Sequence, residues 1–332
     1  MTDLSGILVT GGAGFIGSAF VRSALERRPE ASVVTLDALT YAGSLENLRD
    51  LPERHTFVEG DVLDGALVRR LLEEHGVGLV VHLAAESHVD RSITGPSAFV
   101  ETNVLGTQAL LDACRAAEGV RFHHVSTDEV YGDLGPDDPA FTEHTPYAPS
   151  SPYSASKAGS DHLVRAYART YGLPVTITNC SNNYGPRQYP EKLIPVVVQR
   201  AAAGEPIPVY GDGRNVRDWL YVGDHCDAIW TVIERGATGE TYNVGGNAEV
   251  DNLTLVRTLC AILDDRRPAG APHADLIEFV TDRPGHDRRY AVDTTKIAGL
   301  GWAPRQSLRS GLEATVDWYL ENQDWADAVL QR

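Results

Sequence analysis

Two acids, Asp128 and Glu129, sit side by side in the run STDEVYG (126–132), where the apolar stretch 121–125 ends. In open α/β sheets ligands collect beyond the carboxyl ends of strands, so a pair placed there faces a bound substrate. Adjacent carboxyls suit proton transfer, one as acid and one as base, because two close acids cannot both ionise cheaply. The plainer reading is a solvated turn that caps the next segment. Tyr153 and Lys157, four apart at the start of a predicted helix, share a face. An ammonium near a phenol stabilises the phenolate, so Lys157 is expected to lower the Tyr153 pKa and make it a base toward a substrate hydroxyl. Taken alone, the same spacing is that of an ordinary amphipathic helix.

The glycine run TGGAGFIG changes the weight of both pairs. Gly11, Gly12, Gly14 and Gly17 follow a predicted strand and open a predicted helix. Glycine suits a tight turn, close backbone approach to a pyrophosphate, and a helix packed hard on its strand. The helix N-terminus then offers unpaired N–H groups to phosphate. Asp37 ends the next predicted strand, where a carboxylate accepts from an adenosine ribose and repels a 2′-phosphate, favouring NAD over NADP. Asp61, with Val62, ends the third strand, suited either to the adenine or to capping the following helix.

The elements that must position these residues alternate. Predicted strands cover 7–10, 32–37, 55–59, 79–84, 121–126 and 175–180, with helices at 15–27, 63–74, 97–117 and 153–171 between them. That alternation predicts an α/β fold, a doubly wound parallel sheet of the Rossmann type with helices on both faces. Past about residue 182 the rhythm breaks into Pro- and Gly-rich connections, with helices near 193–203, 224–234, 253–263 and 308–322 and a strand at 219–222. The expected division is a dinucleotide-binding domain over 1–185, with 209–240 returning to it, and a smaller C-terminal α/β substrate lobe over 186–332.

Composition narrows the function classes. A formal charge of −17 repels nucleic acid and anionic membrane, so a phosphate-bearing ligand must be held by local donors. No apolar run reaches the roughly 18 residues of a membrane span, and no basic leader precedes the first strand, so a soluble cytoplasmic protein is expected. Cys114, Cys180, Cys226 and Cys260 lie far apart, without the close pairs of a zinc site or redox dithiol; no metal is expected, and the thiols read as buried and reduced. Only Lys157, Lys192 and Lys296 supply lysine among the 29 basic side chains.

With TGGAGFIG, Asp37, LAAESHVDRS, a strand ending in Ser-Thr, and YSASK in place, the whole chain resembles the extended short-chain dehydrogenase/reductase superfamily. Asp-Glu after that threonine, with SNNYGPRQ, EKLIP, PVYGDG, VRDWLYV and DRPGHDRRY, is similar to the pattern of the dTDP-glucose 4,6-dehydratases within it. The resemblance implies NAD as cofactor and dTDP-glucose as substrate. Oxidation at C4 makes the C5 hydrogen acidic, water leaves across C5 and C6, and the hydride returns to C6 without net redox change. In that scheme Tyr153, supported by Lys157 and Thr127, takes the C4 hydroxyl proton, Glu129 removes the C5 proton, and protonated Asp128 donates to the departing C6 hydroxyl.

The resemblance also implies the contacts. The cofactor is expected against Gly11, Gly14, Phe15, Ile16 and Gly17, then Asp37, Ala38, Leu39 and Thr40. Asp61, Val62, Leu83, Ala84, Ala85, Ser87 and Thr102 continue its wall, with Tyr153 and Lys157 at the reacting end and Asn183 on the cofactor side. Ser87 and Thr127 are expected at the sugar, Asn182 at the sugar or adjoining phosphate, and Lys192 with Leu193 at the nucleotide. Pro208, Tyr210 and Asn252 are expected near the base and ribose. Arg217 and Arg283 are candidates for the diphosphate, with His286 at its border; a salt bridge for Arg217 and a polar loop for Arg283 and His286 are the alternatives. A homodimer through the helices at 97–117 and 153–171 is a family expectation. The rival readings are a nucleotide-sugar 4-epimerase, which needs no acid pair to eliminate water, a decarboxylase of the same superfamily, and a non-catalytic NAD sensor.

Overall fold

The computed structural model describes residues 4–282 and 287–330. Twelve strands occur among them: β1 (Gly6–Thr10), β2 (Ser32–Asp37), β3 (His55–Glu59), β4 (Val77–His82), β5 (Arg121–Thr127), β6 (Val175–Cys180), β7 (Asn182–Tyr184), β8 (Ile207–Tyr210), β9 (Val216–Tyr221), β10 (Thr241–Val244), β11 (Glu249–Asp251) and β12 (Ile277–Val280). Seven build one sheet in the order β10-β6-β5-β4-β1-β2-β3, every neighbouring pair parallel. Parallel strands covered on both faces are buried along their length, as β1 and β6 are at every position.

One face of the sheet packs under helices Gly65–Glu74, Thr107–Ala116 and Pro152–Tyr171, through Leu67, Leu71, Leu110, Leu111, Val164 and Tyr167. Helices Phe15–Arg27 and Val222–Arg235 cover the other, with Phe20 stacked on Trp230 at 5.2 Å between ring centroids. The chain order reverses between β1 and β4, so the space beyond their carboxyl ends is the switch-point crevice. A second core joins helices Leu193–Ala203, Asn252–Arg266 and Leu308–Glu321 with the three-stranded sheet β11-β9-β7 and the pair β12-β8.

Four departures from the sequence expectation have local causes. The large sheet has seven strands rather than six: β10 spans only four residues and follows a helix, so its periodicity is too short to register. β4 ends at His82 rather than at 84, because Leu83 and Ala84 leave the ladder and bond back to Thr10 instead. The helix expected from residue 63 begins at Gly65, where Asp64 Oδ1 accepts from the Ala66 and Leu67 N–H groups, so Asp64 and not Asp61 is its cap.

The fourth departure lies in the helix expected over 97–117. It carries a π-type segment, Val100–Gly106, between two α-helical stretches. Asn103 in that segment bonds the backbone of Glu86 from both ends of its amide and donates to Ser156 Oγ at 2.8 Å. Wide turns of this kind concentrate at functional sites, and Thr102 of this one lines the central cavity.

Candidate active site

A cavity of about 340 Å³ opens at the switch point. The end at the glycine run is set by backbone. Gly11 has φ +68°, and a Cβ there would lie 2.6 Å from the Ala84 nitrogen; a Cβ on Gly17 would lie 2.1 Å from the Gly11 carbonyl oxygen. The helix that follows starts at Gly14 with no side-chain cap and no acid in its first turn, so its N–H groups are left to a ligand. The Asp37 carboxylate is oriented by two N–H donors, Ala13 and Leu39, each at 2.9 Å. Burial raises its pKa against the pull of both.

The reacting end is made by β5, β6 and helix Pro152–Tyr171. Ser151 caps that helix in a reciprocal box with Ser154, which fixes where its first turn begins and so where Tyr153 and Lys157 point. Tyr153 and Lys157 are both buried. The Lys157 ammonium donates to the Val125 carbonyl at 2.9 Å. Thr127 ends β5 and caps the short turn Asp128–Tyr131, its hydroxyl accepting from the Glu129 N–H at 3.2 Å and donating to Asp128 Oδ1 at 3.3 Å.

That geometry removes the solvated-turn reading, since Asp128 is 1 % exposed and its Oδ2 has no partner. Burial, then the charges of Glu129 and Asp218, push the Asp128 carboxyl well above its ordinary value, and Arg217 and Thr127 offset this only in part. Glu129, one residue on, is half-buried at the cavity wall. The two neighbours thus differ in environment as an acid and a base must.

The expected effect of Lys157 on Tyr153 is corrected. Burial, then Glu129, Cys180 and Asp128, hold the phenol well above its ordinary value, opposed by the neighbouring Thr127 side chain. The Lys157 ammonium donates to the Val125 carbonyl, and burial lowers its pKa as well.

The cavity brings together Gly11, Gly14, Phe15, Ile16 and Gly17 with Asp37, Ala38 and Thr40 at one end. Asp61, Val62, Leu83, Ala84, Ala85, Ser87 and Thr102 line its middle, and Thr127, Asp128, Glu129, Tyr153, Lys157, Asn182, Asn183 and Lys192 its far end. Leu39, Leu193, Pro208, Tyr210, Arg217 and Asn252 are not in its wall. Leu39 gives its N–H to Asp37 instead, and Tyr210 is exposed at the end of β8. Arg217 is buried on β9, donating to the carbonyls of Val216 (2.8 Å) and Asp287 (2.9 Å) beneath the Tyr290 ring. Arg283 and His286 lie outside the described residues.

Lining residues the sequence did not single out include Tyr41, Glu86, Cys180, Ser181, Gln188 and Tyr189. Cys180 and Ser181 carried a usable signal, the carboxyl end of a predicted strand next to that of Ser126-Thr127. Tyr41 and Tyr189 meet edge to face at 5.6 Å from loops distant in the chain, a contact without a local signature.

The GDP-mannose 4,6 dehydratase family matches residues 8–315. A dTDP-glucose 4,6-dehydratase of Xanthomonas campestris pv. campestris (strain B100) is 60% identical over 97% of this chain and 95% of its own length. The chain belongs to the dTDP-glucose 4,6-dehydratase family. A crystal structure of a family member from Streptomyces venezuelae, with NAD bound, superposes with a TM-score of 0.90 at 50% identity, covering 98% of this chain and 99% of that one. A UDP-glucose 4-epimerase from Thermotoga maritima shares the fold (TM-score 0.86, covering 96% and 99%) at only 30% identity.

Proposed function

We propose that this protein dehydrates dTDP-glucose to dTDP-4-keto-6-deoxyglucose with NAD as a recycled cofactor. The observation that carries the reading is a buried Asp128 carboxyl with an unpartnered Oδ2 beside the more open Glu129, in one cavity with Tyr153, Lys157 and a glycine cradle that a single Cβ would fill. The cradle fits a dinucleotide: Gly11, Gly14 and Gly17 leave room for the pyrophosphate at a helix N-terminus, and Asp37 is oriented for the adenosine ribose. When bound, NAD would supply a two-electron oxidation at C4 and return the same two electrons at C6, so that no net redox change results.

The chain's own groups move the protons. As the phenolate, Tyr153 Oη receives the C4 hydroxyl proton, with Thr127 beside it and Lys157 supplying positive charge behind it. The step needs Tyr153 as the phenolate, which burial and the neighbouring acids disfavour, so the Lys157 ammonium behind it has to offset them. Glu129 takes the C5 proton once C4 is a ketone. Asp128, kept protonated by burial and by Glu129 and Asp218, delivers its proton to the departing C6 hydroxyl.

Ser87, Asn182 and Lys192 are proposed to hold the sugar and its phosphates from the cavity wall. Leu193, Pro208, Tyr210, Arg217, Asn252, Arg283 and His286 are proposed for the nucleotide and diphosphate. A homodimer working in the cytoplasm is the proposed setting. Exposed Ile93, Val100 and Leu105 along 89–106 and four free, buried thiols support it, and among the described residues no helix is long and apolar enough to cross a membrane.

Incubation of the purified protein with dTDP-glucose and no added reductant tests the reading. A 4-keto-6-deoxy product is expected; dTDP-galactose, or unreacted substrate in the presence of bound NAD, would contradict it.

A further inference from the structure

Behind the cavity wall, the face of helix Pro152–Tyr171 that carries Tyr153 and Lys157 continues to Asp161, four residues further on. Asp161 is 0 % exposed. Its Oδ2 accepts from the Tyr147 hydroxyl at 2.8 Å, and His124 Nε2 lies 3.1 Å from its Oδ1. Tyr147 is itself held by Arg165 at 2.6 Å and by Asn179 at 3.0 Å. We infer that Asp161 is a positioning residue, the buried counter-ion that keeps the Lys157 ammonium charged behind Tyr153.

An ammonium taken out of water is costly unless an opposite charge and hydrogen bonds offset it. Lys157 has a neutral carbonyl as its hydrogen-bond partner, so the opposing charge must come from elsewhere. Asp161 is placed to supply it. Although burial raises Asp161, the His124 ring 3.1 Å away and the charge of Lys157 bring it below its ordinary value, while Asp161 in turn raises Lys157 against burial.

The titratable groups facing this pair come from every packed element. They are Tyr153 and Arg165 on the same helix, His82 on β4, His124 on β5, Cys180 on β6, and Tyr131 and Tyr147 on the covering segments. Burial pushes His82 well down and His124 to about 4, and pushes Cys180 to about 12 with all three tyrosines above their ordinary values. Burial thus keeps these histidines, the thiol and the phenols neutral, which leaves Asp161 as the negative charge beside Lys157.

The inference rests on the proposed role of Lys157, and its test reads the lysine directly. With only Lys157, Lys192 and Lys296 in the chain, protein labelled with 13C at lysine Cε gives three titratable NMR signals, and Lys157→Arg identifies one by its loss. In the unaltered protein the Lys157 signal is expected to report an ammonium at neutral pH; a neutral amine there overturns the inference without any variant. In Asp161→Asn its midpoint should fall by at least about one pH unit, a roughly tenfold change, while Lys192 and Lys296 stay put. An unmoved midpoint overturns it.

Activity supplies the second arm. The alkaline limb of kcat/KM for dTDP-glucose should move to lower pH in Asp161→Asn and return in Asp161→Glu. A uniform fall with no shift of the limb would mark Asp161 as structural only and overturn the inference. If the lysine midpoint moves while the unaltered protein leaves dTDP-glucose untouched, the functional proposal fails and the counter-ion assignment stands.

Discussion

The two ends of the crevice are built differently. The cofactor end, Gly11 to Asp37, comes from two neighbouring strands and one helix N-terminus, and its shape is fixed by backbone that no side chain can share. The reacting end gathers Thr127, Asp128, Tyr153, Lys157 and Asn182 from separate strands and a helix, and its chemistry is fixed by burial and by charges on neighbouring groups. A backbone cradle fails by steric clash, whereas a set of buried ionisable groups fails by losing one proton. The first kind of site writes itself into a short stretch of sequence; the second exists only after folding.

Breaking the reacting end should give the largest effect. Glu129→Gln removes the base and keeps the shape, so product formation should fall by about 10²- to 10⁴-fold with NAD binding intact. Unchanged product formation would remove Glu129 from its role.

At the cofactor end the expected loss is in fold and binding together. Gly17→Ala places a methyl 2.1 Å from the Gly11 carbonyl oxygen, and the overpacked turn should cost about 1–3 kcal/mol in denaturant unfolding and lose NAD. A variant that bound NAD with unaltered stability would show that the turn is looser than the geometry requires.

The smallest effect sharpens the contrast by its sign. Because the folded-state pKa of Asp128 is raised, its contribution to stability is fully present below the unfolded value of about 3.9 and is lost as pH rises through the folded value. Asp128→Asn should therefore be more stable than the unaltered protein at neutral pH, by on the order of 1 kcal/mol, with the advantage vanishing toward pH 4. Urea unfolding at the two pH values checks it, and a destabilised variant at neutral pH would mean that the carboxylate is better satisfied than its unpartnered Oδ2 indicates.

Much of the cofactor end was legible because its signals are local. A glycine spacing, the strand before it and Asp37 after it fix a turn without reference to the rest of the chain. The parallel sheet was legible for the same reason, apart from β10, whose four residues carry no period. At the reacting end the residue types were readable, yet their electrostatics were not: Lys157 turns to the Val125 carbonyl, and Tyr153 is raised by acids that adjoin it only in three dimensions. Nor does any local pattern announce that Arg217 lies buried among backbone carbonyls under Tyr290, outside the cavity wall. The π-type turn at Val100–Gly106 was hidden because its sequence differs little from that of an α-helix; Asn103, bonded to Glu86 and Ser156, holds it from outside.

The central claim is that a transiently oxidised C4 lets Glu129 take the C5 proton while Asp128 expels the C6 hydroxyl. Turnover of dTDP-glucose in deuterated water, with the product read by NMR, tests it most directly. The account predicts a 4-keto-6-deoxy sugar carrying solvent deuterium at C5; the same product with its original hydrogen at C5 would contradict it.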